Sequence, residues 1–160
     1  MTKLFDAIKV LIAANIILYV ITFLMPGMET FMFEKFALYF PKNEKFSYWQ
    51  LITNMFMHGG FTHLLFNMYA LWAFGSPLEE MWGRNKFLVF YFVSGIGAGV
   101  IYTLVNYFQF NTIYQELISA GVSPAEILSL LETGKYGTTS LASFSETRLV
   151  EFYRLFNTPA

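Results

Sequence analysis

The chain has 160 residues and a net charge of −1; 56% of its residues are hydrophobic, 20% are aromatic and only 13% are charged. Soluble domains carry about 25% charged residues, so this composition excludes an ordinary soluble domain and predicts an integral membrane protein. The near-neutral charge gives no basic surface for nucleic acid. Because cysteine is absent, disulfides and thiolate metal ligands are excluded.

Three apolar stretches predict an all-α, polytopic membrane protein with about three transmembrane helices, near residues 8–27, 61–76 and 87–107. The first ends at Pro26 and Gly27 and has no signal-peptide cleavage site, so we expect it to be retained. The positive-inside rule hardly distinguishes the two orientations, because lysine and arginine residues are almost equally divided between the two sides of the membrane. We expect a cytoplasmic N-terminus and the inner (plasma) membrane of a bacterium as the location.

Glycines mark the boundaries of the second predicted span and a candidate packing face of the third. Gly59 and Gly60 predict a turn before the second span, and a Gly-Ser-Pro sequence at residues 75–77 predicts its end. In the third span Gly95 and Gly99 are four residues apart, a spacing that lets another helix approach closely. The alternative is that glycine is simply common in membrane helices.

From residue 108 onward the chain predicts an extended loop or tail that carries two short amphipathic helices. The first should begin at Ser123, with proline next and Glu126 completing a capping box. The second is predicted over residues 146–156. Neither can cross a bilayer, so we expect both to lie on the membrane or to pack over the spans. We treat residues 1–160 as a single membrane domain.

Both histidines of the chain, His58 and His63, lie close together in an uncharged stretch, and Asn67 follows. Polar groups at membrane depth are costly and raise a functional question. His63 and Asn67 are four residues apart, so they share one helix face. A zinc site is disfavoured because the histidines are five residues apart and no acid lies between them. A second alternative is that His63 and Asn67 only bond a neighbouring helix.

At this point the sequence resembles the rhomboid intramembrane serine proteases. That family carries a histidine, four residues, a second histidine, three residues and an asparagine at the start of its second core span, which is the spacing of His58, His63 and Asn67. Trp49 matches the tryptophan of the family's Trp-Arg pair, whereas Gln50 replaces the arginine. The resemblance covers residues 7–107 and includes the glycine-rich third span.

The resemblance implies a serine–histidine dyad in a water-accessible cavity. His63 and Asn67 would stabilise the oxyanion, and His58 would support the surrounding loop. The family's serine lies in a Gly-x-Ser-Gly turn and its base histidine on a later span, but this sequence contains no Gly-x-Ser-Gly and no third histidine. The 160 residues therefore look like the first half of such a protease, without nucleophile and inactive alone.

Three hypotheses follow. The chain is a fragment of a rhomboid protease that acts on transmembrane proteins and needs a missing C-terminal half; or it is a non-catalytic relative that binds membrane clients; or it is a small structural membrane subunit with a coincidental motif. In each hypothesis the protein is surrounded by membrane lipid, and in none does it require a cofactor, a metal or nucleic acid.

Overall fold

The structure is a computed structural model that describes residues 7–135, 141 and 144–160. Its regular elements are helical: α1 (Ala7–Leu24), α2 (Met28–Phe36), α3 (Gln50–Thr53), a 3₁₀ turn (Asn54–Phe56), α4 (Phe61–Ala70), a π-turn (Leu71–Gly75), α5 (Ser76–Trp82), α6 (Arg84–Ser119), α7 (Pro124–Thr133) and α8 (Glu146–Asn157). The chain forms two compact units. The first comprises the residues up to Ala37 with Tyr48–Gly99, and the second comprises Leu38–Ser47 with Val100–Ala160.

Among the residues that the structure describes, two helices are long and apolar enough to cross a membrane. They are α1, with a mean hydropathy of 2.3, and α6, whose most apolar window reaches 2.0. Only 6% of that window of α6 is buried, so its apolar side chains point outward, as lipid-facing side chains do. Between α1 and α6, helical backbone runs without a break from residue 61 to residue 82. At 1.5 Å per residue this segment is about 33 Å long, enough for a third span.

The predicted end of the second span, at the Gly-Ser-Pro sequence, is wrong: the helix continues through α5 to Trp82. Pro77 cannot donate a backbone hydrogen bond, and its ring crowds the preceding turn of a regular α-helix. The π-turn Leu71–Gly75 lies directly before it and widens the helix there. The helix thus continues past Pro77 and ends only at Gly83, where φ is +79°.

The helix that carries the third predicted span does not end near residue 107, because α6 continues to Ser119. Residues 108–119 contain neither glycine nor proline, so nothing interrupts the helix. Phe110, Ile113 and Leu117 are buried at helical spacing. An amphipathic helical extension therefore replaces the loop predicted to begin at residue 108.

The second unit is a small helical core built on that extension. The predicted capping box of α7 is confirmed: Ser123 accepts from the Glu126 amide, and the Glu126 carboxylate accepts from the Ser123 amide at 2.9 Å. The helix α8 also forms within one residue of its predicted bounds. The buried side chains that α6, α7 and α8 share are Phe110, Ile113, Leu117, Ile127, Leu130, Leu131, Leu149 and Phe152.

A buried carboxylate fixes the start of α1 in the first unit. Glu79 on α5 accepts hydrogen bonds from the backbone amides of Ala7, at 2.7 Å, and Ile8, at 3.1 Å. The first amides of a helix have no partner within that helix, and the helix dipole favours a negative charge beside them. Glu79 therefore joins α5 to the start of α1.

The glycine-rich part of α6 receives a side chain from the segment that precedes the histidines. A Cβ added at Gly95 would overlap the side chain of Met55, which lies in the 3₁₀ turn, whereas nothing lies within 4 Å of a Cβ added at Gly97. The space at Gly95 is therefore filled by the Met55 side chain, and not by the backbone of another helix as the glycine spacing predicts.

We expect Gly95→Ala to be less stable than Gly97→Ala by about 1–3 kcal/mol. Both changes raise helix propensity by up to about 1 kcal/mol, but only the methyl group at position 95 meets an occupied space, and overpacking costs about 1–3 kcal/mol. Equilibrium unfolding in mild detergent, followed by circular dichroism, measures the difference. Equal stability of the two variants would show that Met55 moves aside without cost.

Candidate oxyanion site

The segment that leads to the histidines is held by the end of α2. Three side chains donate hydrogen bonds to carbonyls of the last turn of α2: Trp49 Nε1 to Lys35 O at 3.0 Å, Gln50 Nε2 to Glu34 O at 3.5 Å, and Thr53 Oγ1 to Phe36 O at 2.8 Å. The last carbonyls of a helix lack partners within it. These three bonds therefore supply partners for the last carbonyls of α2 and hold the segment against that helix. Gln50, which stands where the family has arginine, is fully buried.

The two histidines lie side by side at the start of α4. The ring centroids of His58 and His63 are 5.2 Å apart, with an interplanar angle of 57°. This distance is within one helical turn, as the sequence predicts. His58 is 6% exposed, and its Nδ1 lies 3.4 Å from the carbonyl oxygen of Phe56. His58 comes from the loop before Gly59 and Gly60, and His63 comes from the first turn of α4.

Asn67 follows one turn after His63 on α4. Its Nδ2 donates to the backbone carbonyl of His63 at 3.0 Å. A carboxamide carries two N–H donors, so this bond orients Asn67 and leaves a second donor for a ligand. The sequence predicts that His63 and Asn67 face the helix bundle; in the structure both side chains are exposed.

Burial lowers the pKa of His58 below its ordinary value of 6.5. The contact with the Phe56 carbonyl raises the pKa in part, and the neighbouring His63 lowers it. His58 lies in the loop that precedes α4, outside the helix itself. Its neutral form is therefore the one that the folded protein favours beside His63.

We expect acid to destabilise the fold through His58. Because the pKa of His58 is lower in the folded state than in the unfolded state, the two states bind protons equally above about pH 6.5, and the unfolded state binds more below it. Stability is then complete at neutral pH and falls on acidification, by about 1.4 kcal/mol for each unit of difference in pKa. Thermal unfolding in detergent from neutral pH to below about 6.5 tests this, and His58→Gln should show a flatter profile. An unchanged profile would mean that other groups carry the pH dependence.

The described part of the chain contains no cluster of side chains that could bind a metal ion. Within residues 7–135, 141 and 144–160, no three His, Cys, Asp or Glu side chains are grouped as ligands. The arrangement can donate hydrogen bonds, from the His63 imidazole and the Asn67 amide, to an oxygen that carries negative charge. With both histidines in this group, the sequence holds no further imidazole that could activate a serine.

Two positioning residues were missed in the sequence: Thr53, which bonds to α2, and Glu79, which caps α1. Glu79 carried a usable signal, because it is the first charged residue after an uncharged run that begins at Phe46. An acid at the end of such a run lies near the membrane surface, where a helix N-terminus is a favourable partner. Thr53 carried no comparable signal.

Comparison with known proteins identifies the family of the segment that carries the two histidines. The rhomboid domain model matches residues 45–131, more than half of the chain. A putative rhomboid protease of Bacillus subtilis, YdcA, is 49% identical over 49 residues, which is 31% of this chain and 25% of that protein. Rhomboid protease GluP of Bacillus subtilis is 40% identical over 53 residues (33% and 10% of the two chains). Rhomboid-like protease 3 of Toxoplasma gondii is 33% identical over 98 residues (58% and 37%).

The matched segments thus span 37% or less of these three relatives. No solved structure matches the chain. The family match contains the segment from Trp49 to α4, including both histidines and Asn67. Together with the outward-facing apolar helices, it shows that this chain is an integral membrane protein that belongs to the rhomboid family.

Proposed function

We propose that this chain supplies the oxyanion-stabilising side of an intramembrane serine protease. His63 and Asn67 would donate hydrogen bonds to the negatively charged oxygen of the tetrahedral intermediate, and His58 would hold the His63 ring in place. The observation that carries the proposal is the packing of the two rings at 5.2 Å, on a segment that the rhomboid domain model covers. Preorganised donors of this kind contribute about 3–4 kcal/mol each to transition-state stabilisation.

The neutral state of His58 supports this role. A positive charge on His58 would lie about 5 Å from the His63 ring. Burial disfavours that charge and lowers the pKa of His58. Asn67 is likewise held in one orientation by its bond to the His63 carbonyl. Fixed donors need no reorganisation as charge develops, which is the physical basis of oxyanion stabilisation.

We further propose that the nucleophile and the base come from a polypeptide segment other than these 160 residues. The sequence has no Gly-x-Ser-Gly turn, and its two histidines both belong to the donor site. A donor site cannot by itself form a covalent acyl intermediate. The substrates would be transmembrane proteins, whose peptide bonds the assembled protease hydrolyses.

Co-expression tests this proposal. The chain is produced alone or together with spanning segments that carry a Gly-x-Ser-Gly turn and a histidine, and cleavage of a transmembrane reporter is measured. We expect cleavage only in the pair, because spanning helices can insert separately and then associate. Binding of the reporter without cleavage in the pair would favour the non-catalytic client-binding hypothesis instead.

For the orientation we propose a cytoplasmic N-terminus in a bacterial inner membrane. Three spans then place Asn43 and the chain after residue 111 together on the opposite side. The bond from Asn43 Nδ2 to the Phe156 carbonyl, at 2.8 Å, supports a shared side. Reporter fusions after residue 43 and at the C-terminus should report the same, non-cytoplasmic compartment. Signals from opposite compartments would contradict the three-span arrangement.

A further inference from the structure

A groove of about 620 Å³ runs along the start of α6 in the first unit, away from the histidines in sequence. Its lining is Trp82, Asn85, Lys86, Val89, Phe90 and Val93. The four residues at positions 86, 89, 90 and 93 share one face of α6 because of their helical spacing. The Trp82 ring packs edge-on against Phe90, with centroids 5.3 Å apart and an interplanar angle of 80°. This pair forms a wall of the groove.

The groove is polar at one end and apolar along the rest of its length. Lys86 is the one charged residue in its described lining, and Asn85 adjoins it as a second polar group. Val89 and Val93 are each 64% exposed. From Lys86 to Val93 the helix rises by about 10 Å. A positive charge beside a shallow apolar groove fits a molecule with an anionic head and a hydrocarbon tail, whereas a free anion would leave the apolar part uncovered.

We propose that this groove binds one anionic phospholipid. The phosphate lies at Lys86 and Asn85, and one acyl chain lies along Val89, Phe90 and Val93, with Trp82 at the level of the headgroups. Tryptophan favours that depth, and lysine extends its charge to the same level. Because neither histidine nor Asn67 lines the groove, the proposal stands independently of the oxyanion site.

Fluorescence quenching in vesicles tests the proposal on the full chain. Trp49→Phe and Trp72→Phe leave Trp82 as the single tryptophan. Phosphatidylglycerol with brominated acyl chains, as a minor component in phosphatidylcholine, should quench Trp82 more efficiently than brominated phosphatidylcholine at the same fraction. One lysine near an anionic surface contributes about 1 kcal/mol, which corresponds to an apparent preference of about fivefold.

Charge variants separate this site from general attraction to a basic surface. Lys86→Gln should remove the preference, whereas Arg84→Gln, two residues away on the opposite side of α6 and outside the lining, should retain it. Equal quenching by the two lipids, or equal loss in both variants, would overturn the proposal. Should the tryptophan variants fail to fold, native mass spectrometry of the chain with all three tryptophans compares retention of phosphatidylglycerol with and without Lys86→Gln. Equal retention would again overturn the proposal.

Discussion

Replacing His63 or Asn67 by alanine is expected to lower the turnover of the complemented protease by about 10²–10³-fold per residue. The two donors lie one helical turn apart on α4, and the Asn67 amide keeps one N–H free after bonding to the His63 carbonyl. Their bonds strengthen as the oxyanion forms, so the loss should appear in kcat and leave KM little changed. The assay is cleavage of a transmembrane reporter by the co-expressed pair.

Two controls distinguish lost donors from lost structure. Asn67→Asp keeps the shape of the side chain but replaces the amide donor with a carboxylate that repels the oxyanion, so its effect should equal or exceed that of Asn67→Ala. Thr62→Ala changes an exposed neighbour on α4 and should leave turnover within about twofold, the effect of ±0.5 kcal/mol. Full activity of His63→Ala and Asn67→Ala, with normal expression, would remove both residues from the reaction.

Glu79→Leu is expected to destabilise the chain by about 3–6 kcal/mol. Each of the two hydrogen bonds from the Ala7 and Ile8 amides to the carboxylate contributes about 1.5–3 kcal/mol when one partner is charged. Their loss leaves the start of α1 without acceptors in a buried position. Equilibrium unfolding in mild detergent gives the free energy, and hydrogen exchange at the two amides shows whether the loss is local.

A matched control lies next to Glu79 in the sequence. Glu80 is exposed, so Glu80→Leu should change the free energy of unfolding by less than about 0.5 kcal/mol. Glu79→Gln should fall between the two, because an amide offers one acceptor oxygen for two backbone N–H groups. Equal stability of the Glu79→Leu and Glu80→Leu variants would contradict the capping role assigned to Glu79.

The sequence predicts features of this fold that depend on local chemistry. The first apolar run, the double glycine before α4 and the Ser123 capping box each act over a few residues, and each appears in the structure. The histidine motif likewise places His58 beside His63 because a turn and one helical repeat suffice to bring them together.

Features that depend on distant partners were not predictable in the same way. Pro77 ordinarily predicts a helix end, but the π-turn before it lets the helix continue. Polar residues after position 107 suggest a loop, yet Phe110, Ile113 and Leu117 pack with α7 and α8 and keep α6 helical. The bonds of Glu79 to residues more than 70 positions earlier have no local sequence signal that identifies the partner.

Labelling with a fluorophosphonate tests the central claim most directly, because the reagent reacts with a serine only where a base activates it. The account predicts no labelling of the purified 160-residue chain. In the complemented pair it predicts labelling on the added segment that carries the Gly-x-Ser-Gly turn, and weaker labelling after His63→Ala. Labelling of this chain alone, abolished by replacing one of its own serines, would contradict the account.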